Sequence, residues 1–76
     1  MTVSENRRIM IENAMANYYK AYMKRWGDRK SVEDGIKATR NFIEAWIKSM
    51  FEIRFLDKDY IDFIERKLNE LRDIEF

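Results

Sequence analysis

The stretch SVEDGIKATRNFIEAWIKSMFEIRF, residues 31–55, decides the fold of this 76-residue chain. Within it Val32, Ile36, Thr39, Ile43, Trp46, Met50 and Ile53 recur at alternating spacings of four and three. Residues so spaced stack above one another on an α-helix, whereas a strand would need a two-residue alternation. Phe42, Ile47 and Phe51 flank the resulting seam. Ser31, three residues before Asp34, supplies a start signal. The pattern predicts a helix over about residues 32–55. Gly35 in its first turn costs about 1 kcal/mol against Ala, so that turn is expected to fray or to sit close against a neighbour.

Upstream, Ile11, Met15, Tyr18, Tyr22 and Trp26 repeat at helical spacing, predicting a helix over about 3–26. Thr2 and Glu5 have capping-box spacing, and Gly27 after Lys24 and Arg25 is placed for a left-handed cap. Ala14, Ala21, Met10, Tyr19 and Met23 widen the apolar face, leaving Asn6, Asn13, Asn17, Lys20 and Lys24 as the polar strip. Downstream, Asp57 opens a helix over about 58–73 with Ile61, Ile64, Leu68 and Leu71 as its stripe and Tyr60, Phe63 and Ile74 beside it. Leu56 and Ile61 have the spacing of a hydrophobic staple, and Asp57, Asp59 and Asp62 suit the positive end of the helix dipole. Three helices with short connections give one all-α domain, residues 1–76. The expected architecture is a small antiparallel three-helix bundle, two long helices plus a shorter C-terminal one.

The first helix is apolar round more than half its circumference, which one neighbour cannot cover. A chain this short also makes a marginal core. Completion by a homo-oligomer, a dimer above all, is therefore expected. A groove for a foreign helix is the competing outcome.

Composition excludes several chemistries. The chain has no Cys, His or Pro and no Gln. Disulfide frameworks, zinc fingers, iron–sulfur and haem ligand sets, and imidazole-based triads are thereby ruled out. The run Asp57-Lys58-Asp59-Tyr60-Ile61-Asp62 lacks the central Gly and terminal Glu of a calcium loop. Glu44 and Glu52 read as solvated, and Gly27 and Gly35 stand too far apart to form a phosphate loop. No cofactor, metal or enzymatic activity is expected. Neither a signal peptide nor a membrane span is expected, which points to the cytoplasm of the producing or host cell.

The net charge of +1 conceals an asymmetry. Residues 1–30 carry seven basic and three acidic side chains, residues 31–56 four of each, and residues 57–76 four basic and seven acidic. In the plainest reading, acid on the third helix balances base on the first. In the sharper reading, the basic and aromatic segment 18–30 works on a partner. Tyr19, Met23, Lys24, Arg25, Trp26 and Arg29 are then the candidates for a protein interface, since aromatic and Arg anchors dominate such surfaces. As a nucleic-acid site the contacts would be Lys20, Lys24, Arg25, Arg29 and Lys30, with Trp26 or Tyr19 as stacking platforms. Arg40 and Arg54 share a heptad position beside the second seam. They are expected either to pair with Asp62 or Glu65 or to line an anion pocket.

The expected role is a non-enzymatic helical interaction module. It would be an accessory, adaptor or inhibitor protein of the kind phages, viruses and plasmids encode, acting as a dimer on a protein partner. A small nucleic-acid binder is the alternative, and a structural or assembly subunit the next.

Overall fold

The structure, a computed structural model, describes residues 3–74. It contains three helices, α1 (Glu5–Trp26), α2 (Val32–Met50) and α3 (Lys58–Arg72), and no strand among the described residues. Successive helices run antiparallel, so the C-terminal ends of α1 and α3 meet the start of α2 at one end of the bundle. The bundle measures 39 × 20 × 18 Å, an elongated body.

Each helix start has a local cause. Asp34 N–H donates to Ser31 Oγ at 3.2 Å and Ser31 N–H to Asp34 Oδ2 at 3.1 Å, a complete capping box. These bonds hold the Asp34 carboxyl below its usual range, the backbone amide of Ser31 contributing most. Asp57 caps α3 by accepting from the Tyr60 amide at 3.2 Å. For α1 the expected cap, Thr2, lies outside the described residues. The cap is Ser4, whose Oγ accepts from the Arg7 amide at 3.3 Å, so α1 starts at Glu5 and not at residue 3.

Two helix ends differ from expectation. Gly27 closes α1 in the right-handed region (φ −62°, ψ −22°), with its N–H on Met23 O at 2.7 Å. Its lack of a side chain serves a close approach, because a Cβ there would run into the Met23 carbonyl oxygen. α2 stops at Met50, five residues early. Phe51 leaves helical geometry, Glu52 takes the left-handed φ of 54°, and the Ile53 amide donates back to Lys48 O at 3.0 Å. That is a Schellman ending, with Glu52 in the place Gly usually holds. The heptad seam runs on to Ile53 because this ending folds an apolar side chain back onto the helix, not because the helix continues.

Burial corrects the stripes. In α1 the fully enclosed side chains are Ile11, Met15 and Tyr19, an unbroken i, i+4 ladder, while Tyr18, Tyr22 and Trp26 are half-buried. In α2 Ile36, Thr39, Ile43 and Ile47 form the core, while Met50 is 51% exposed and Trp46 half-buried. In α3 Tyr60, Phe63, Ile64, Leu68 and Leu71 face inward and Ile61 is 44% exposed, so the staple partner of Leu56 stands largely in solvent. Thr39 is the one polar side chain buried in this core among the described residues, and its hydroxyl donates to Gly35 O at 2.8 Å. Gly35 itself is buried. A Cβ there would lie 2.7 Å from Met23 Sδ and 3.0 Å from Tyr19 Cε1, so this glycine lets α2 approach α1.

Candidate interaction surface

The C-terminal ends of α1 and α3 flank the α1–α2 turn and enclose an open cleft of about 870 Å³. Met23, Val32 and Ile74 line it with apolar surface, Lys24, Arg25 and Arg72 with positive charge, and Asp28 and Asp73 with negative charge. Local geometry fixes its floor. The Arg29 and Lys30 amides both donate to Trp26 O, at 2.9 and 2.7 Å, folding the turn tightly over the end of α1. The Arg25 guanidinium lies 5.1 Å from the centre of the Trp26 ring.

Three of the six sequence candidates, Met23, Lys24 and Arg25, meet in this cleft. Trp26 is half-buried beside them, and Arg29, like Lys20 and Lys30, is exposed. Tyr19 is different. Expected on the surface, as interface contact or stacking platform, it is 0% exposed in the core. Its ring sits one position round from Tyr18, on the side of α1 that meets α2 and α3. Burial, and next the charge of Glu33, push its hydroxyl above the usual tyrosine range, against the opposing charge of Arg72.

Sequence reading missed the contributions of α2 and α3 to the cleft. Arg72 carries no local signal beyond its place in a last helical turn. Only the topology brings it to the basic end, where Nε donates to Glu33 Oε1 at 2.6 Å and Nη1 to Asn69 Oδ1 at 2.7 Å.

The inter-helix ion pairs join other partners than the α1 bases and α3 acids of the plainest reading. Arg40 of α2 pairs with Glu65 of α3 at 2.8 Å, Arg72 of α3 with Glu33 of α2, and Lys67 of α3 with Glu12 of α1. In that last pair the base stands on α3 and the acid on α1. Glu12, and after it Glu70, raise the Lys67 ammonium above its ordinary range. Lys20, Lys24, Arg25, Arg29 and Lys30 form no ion pair among the described residues. Arg40 thus takes the Glu65 pairing. Arg54 lies beyond the end of α2, its guanidinium 5.8 Å from the centre of the exposed Phe55 ring. With the helix ended at Met50, the heptad relation that would have aligned Arg54 with Arg40 is gone.

A second surface lies between α1 and α2. Tyr18 and Phe42 stack with ring centres 4.3 Å apart and planes 4° from parallel, and Tyr22 lies 6.3 Å from Tyr18. Trp46 meets Phe51 edge-on at 5.7 Å, and the Arg7 guanidinium covers Phe51 at 4.5 Å. All five rings are only half-buried.

Among the described residues no helix is long and apolar enough to cross a membrane, and no group of three or more acidic side chains could hold a metal ion. No protein-family model, curated protein or solved structure matches this chain.

Proposed function

We propose that the chain is a non-enzymatic helical interaction module that works as a dimer and takes an acidic, partly apolar segment of a protein partner into the cleft beside the α1–α2 turn. The observation that carries this reading is the basic character of the turn: residues 20–30 hold five basic side chains and one acid, Asp28, and of these Lys24, Arg25 and Asp28 line the cleft together with Arg72 and Asp73. Arg40, Lys67 and Arg72 have carboxylate partners within the bundle, whereas none of these five basic side chains forms an ion pair among the described residues. Met23, Val32 and Ile74 among them favour an occupant that offers apolar side chains as well as carboxylates.

The test is binding of a fluorescent peptide of interleaved Glu and Leu residues, followed by anisotropy. Lys24→Glu combined with Arg25→Glu is expected to weaken binding by about tenfold or more, equivalent to about 1.4 kcal/mol per decade. Lys37→Glu, on the outer side of α2, should leave it unchanged. Equal binding by the reversed variant would sink the proposal. The nucleic-acid reading keeps one observation in its favour, the half-buried Trp26 beside Lys24, Arg25 and Arg29. It requires a single-stranded oligonucleotide to bind with an affinity that falls steeply with salt.

A further inference from the structure

The cleft beside the α1–α2 turn is walled in part by the chain's own exit from α3. Asp73 and Ile74, the last two described residues, both line it. Their course is pinned, because the Asp73 amide donates to Glu70 O at 3.3 Å and the Ile74 amide to Leu71 O at 3.0 Å. The chain therefore leaves α3 along the wall of the cleft. Glu75 and Phe76 follow Ile74 and lie outside the described residues. Covalent geometry alone limits where they can be. Consecutive Cα atoms stand about 3.8 Å apart, so both stay within roughly 8 Å of Ile74, less than the roughly 10 Å edge of a cube of 870 Å³.

We propose that Glu75 and Phe76 are the resident occupant of this cleft, and that a partner segment enters only by displacing them. Reach is the first support. Chemistry is the second: the lining offers the apolar side chains of Met23 and Val32 beside the cations Lys24 and Arg25, and the two residues bring one aromatic ring and one carboxylate. The charges also close. Lys24, Arg25 and Arg72 face Asp28 and Asp73, an excess of one positive charge that Glu75 matches. Arg72 is already held by Glu33 and Asn69, which leaves Lys24 and Arg25 as the cations that can turn to it. The tether is the third support. A short tether presents its segment at an effective concentration of about millimolar, so a contact too weak to hold a free dipeptide still fills the cleft for much of the time. A partner's apparent affinity then falls in proportion to the fraction of molecules whose cleft is open. This competition rests on the acidic-segment reading above; the seating of Glu75 and Phe76 does not.

Phe76→Ala tests both parts, since it leaves the net charge unchanged and falls past the end of α3 at Arg72. The first readout is the methyl NMR spectrum of the full chain labelled at Met and Val. A Phe76 ring over Met23 and Val32 displaces their methyl signals by its ring current. The substitution should move both, while Met10 and Met50, exposed and outside the lining of the cleft, keep theirs. The second readout is anisotropy with the same Glu and Leu peptide. Phe76→Ala should bind it about threefold more tightly, the change expected if the cleft is self-occupied about two-thirds of the time. Unmoved Met23 and Val32 signals overturn the seating and leave the cleft to be judged by the Lys24→Glu, Arg25→Glu variant. Signals that move while both chains bind the peptide equally overturn the competition. Signals that move while neither chain binds it support the seating and overturn the acidic-segment reading instead.

Discussion

The Ile53 amide donates to the Lys48 carbonyl oxygen at 3.0 Å, closing α2 over a residue with positive φ that is not glycine. Glu52 holds φ at 54°, a conformation that costs an L-residue with a Cβ roughly 1–2 kcal/mol. Glu52→Gly removes that cost and adds some entropy to the unfolded chain, for an expected net gain of about 0.5–1 kcal/mol. In a domain of this size that raises Tm by roughly 2–8 °C. Glu52→Ala keeps the strain and serves as the control. Equal Tm values for the Gly and Ala variants would show that the φ at this position is not what limits stability.

The same turn shows where sequence reading ends. Ser31 and Asp57 each act on the amide three residues on, so their signatures are local and both helix starts are legible. The end of α2 has no Gly or Pro to mark it, and Ile53 prolongs the apolar period past the true stop. Tyr18 and Tyr19 could not be separated because α1 is apolar over most of its circumference. Period then fixes the element but not its rotation, and the packing of α2 and α3 decided for Tyr19. Arg40 was readable because it stands beside the apolar seam of α2 and the facing helix is rich in acid, of which Glu65 takes the pairing. Arg72 was not, since its place in the cleft follows from three helices meeting at one end.

Gly35 offers a second stability test with opposing contributions. Ala at this position gains about 1 kcal/mol of helix propensity. Its Cβ would press on Met23 Sδ and on the Tyr19 ring, and overpacking of this kind costs about 1–3 kcal/mol. The Met23 thioether can swing aside, but the Tyr19 ring is enclosed on every side. Gly35→Ala is therefore expected to destabilise by about 1 kcal/mol net. Adding Met23→Ala should lessen the penalty, giving a non-additive cycle in denaturant unfolding. Full additivity would place the conflict elsewhere.

Tyr19 and Lys67 both bind their protons more tightly when folded, so they act in the same direction on the alkaline side. Wherever the folded chain holds more protons than the unfolded chain, stability falls as pH rises. The contribution of each is complete below the unfolded pKa and fades as pH climbs through the folded one, so stability should decline above about pH 10. Tyr19→Phe removes one of the two groups. Measured against its own value at neutral pH, this variant should lose stability more gradually in alkali than the wild type. Asp34 acts oppositely. Its carboxyl is depressed by the capping box, so its contribution is present above the ordinary aspartate range and fades as acid protonates it. Superimposable alkaline profiles for wild type and Tyr19→Phe would remove the tyrosine from this account.

The heptad reading of α2 and the observed core make different claims about Ile47 and Met50. The heptad puts Met50 in the seam and Ile47 beside it, whereas the structure encloses Ile47 completely and leaves Met50 half in solvent. The difference arises because α2 meets α1 and α3 on two sides, so its buried arc is wider than a two-stranded seam and centres on Ile43. Truncating an enclosed Ile removes its transfer free energy and leaves a cavity, so Ile47→Ala should cost about 2–5 kcal/mol. Met50→Ala should stay within about 0.5 kcal/mol, as for a surface change. Urea unfolding of the two variants decides the matter, with equal m-values needed for the comparison to hold. If Met50→Ala proves the costlier change, α2 is rotated by about 60°, roughly a sixth of a turn, from its described setting.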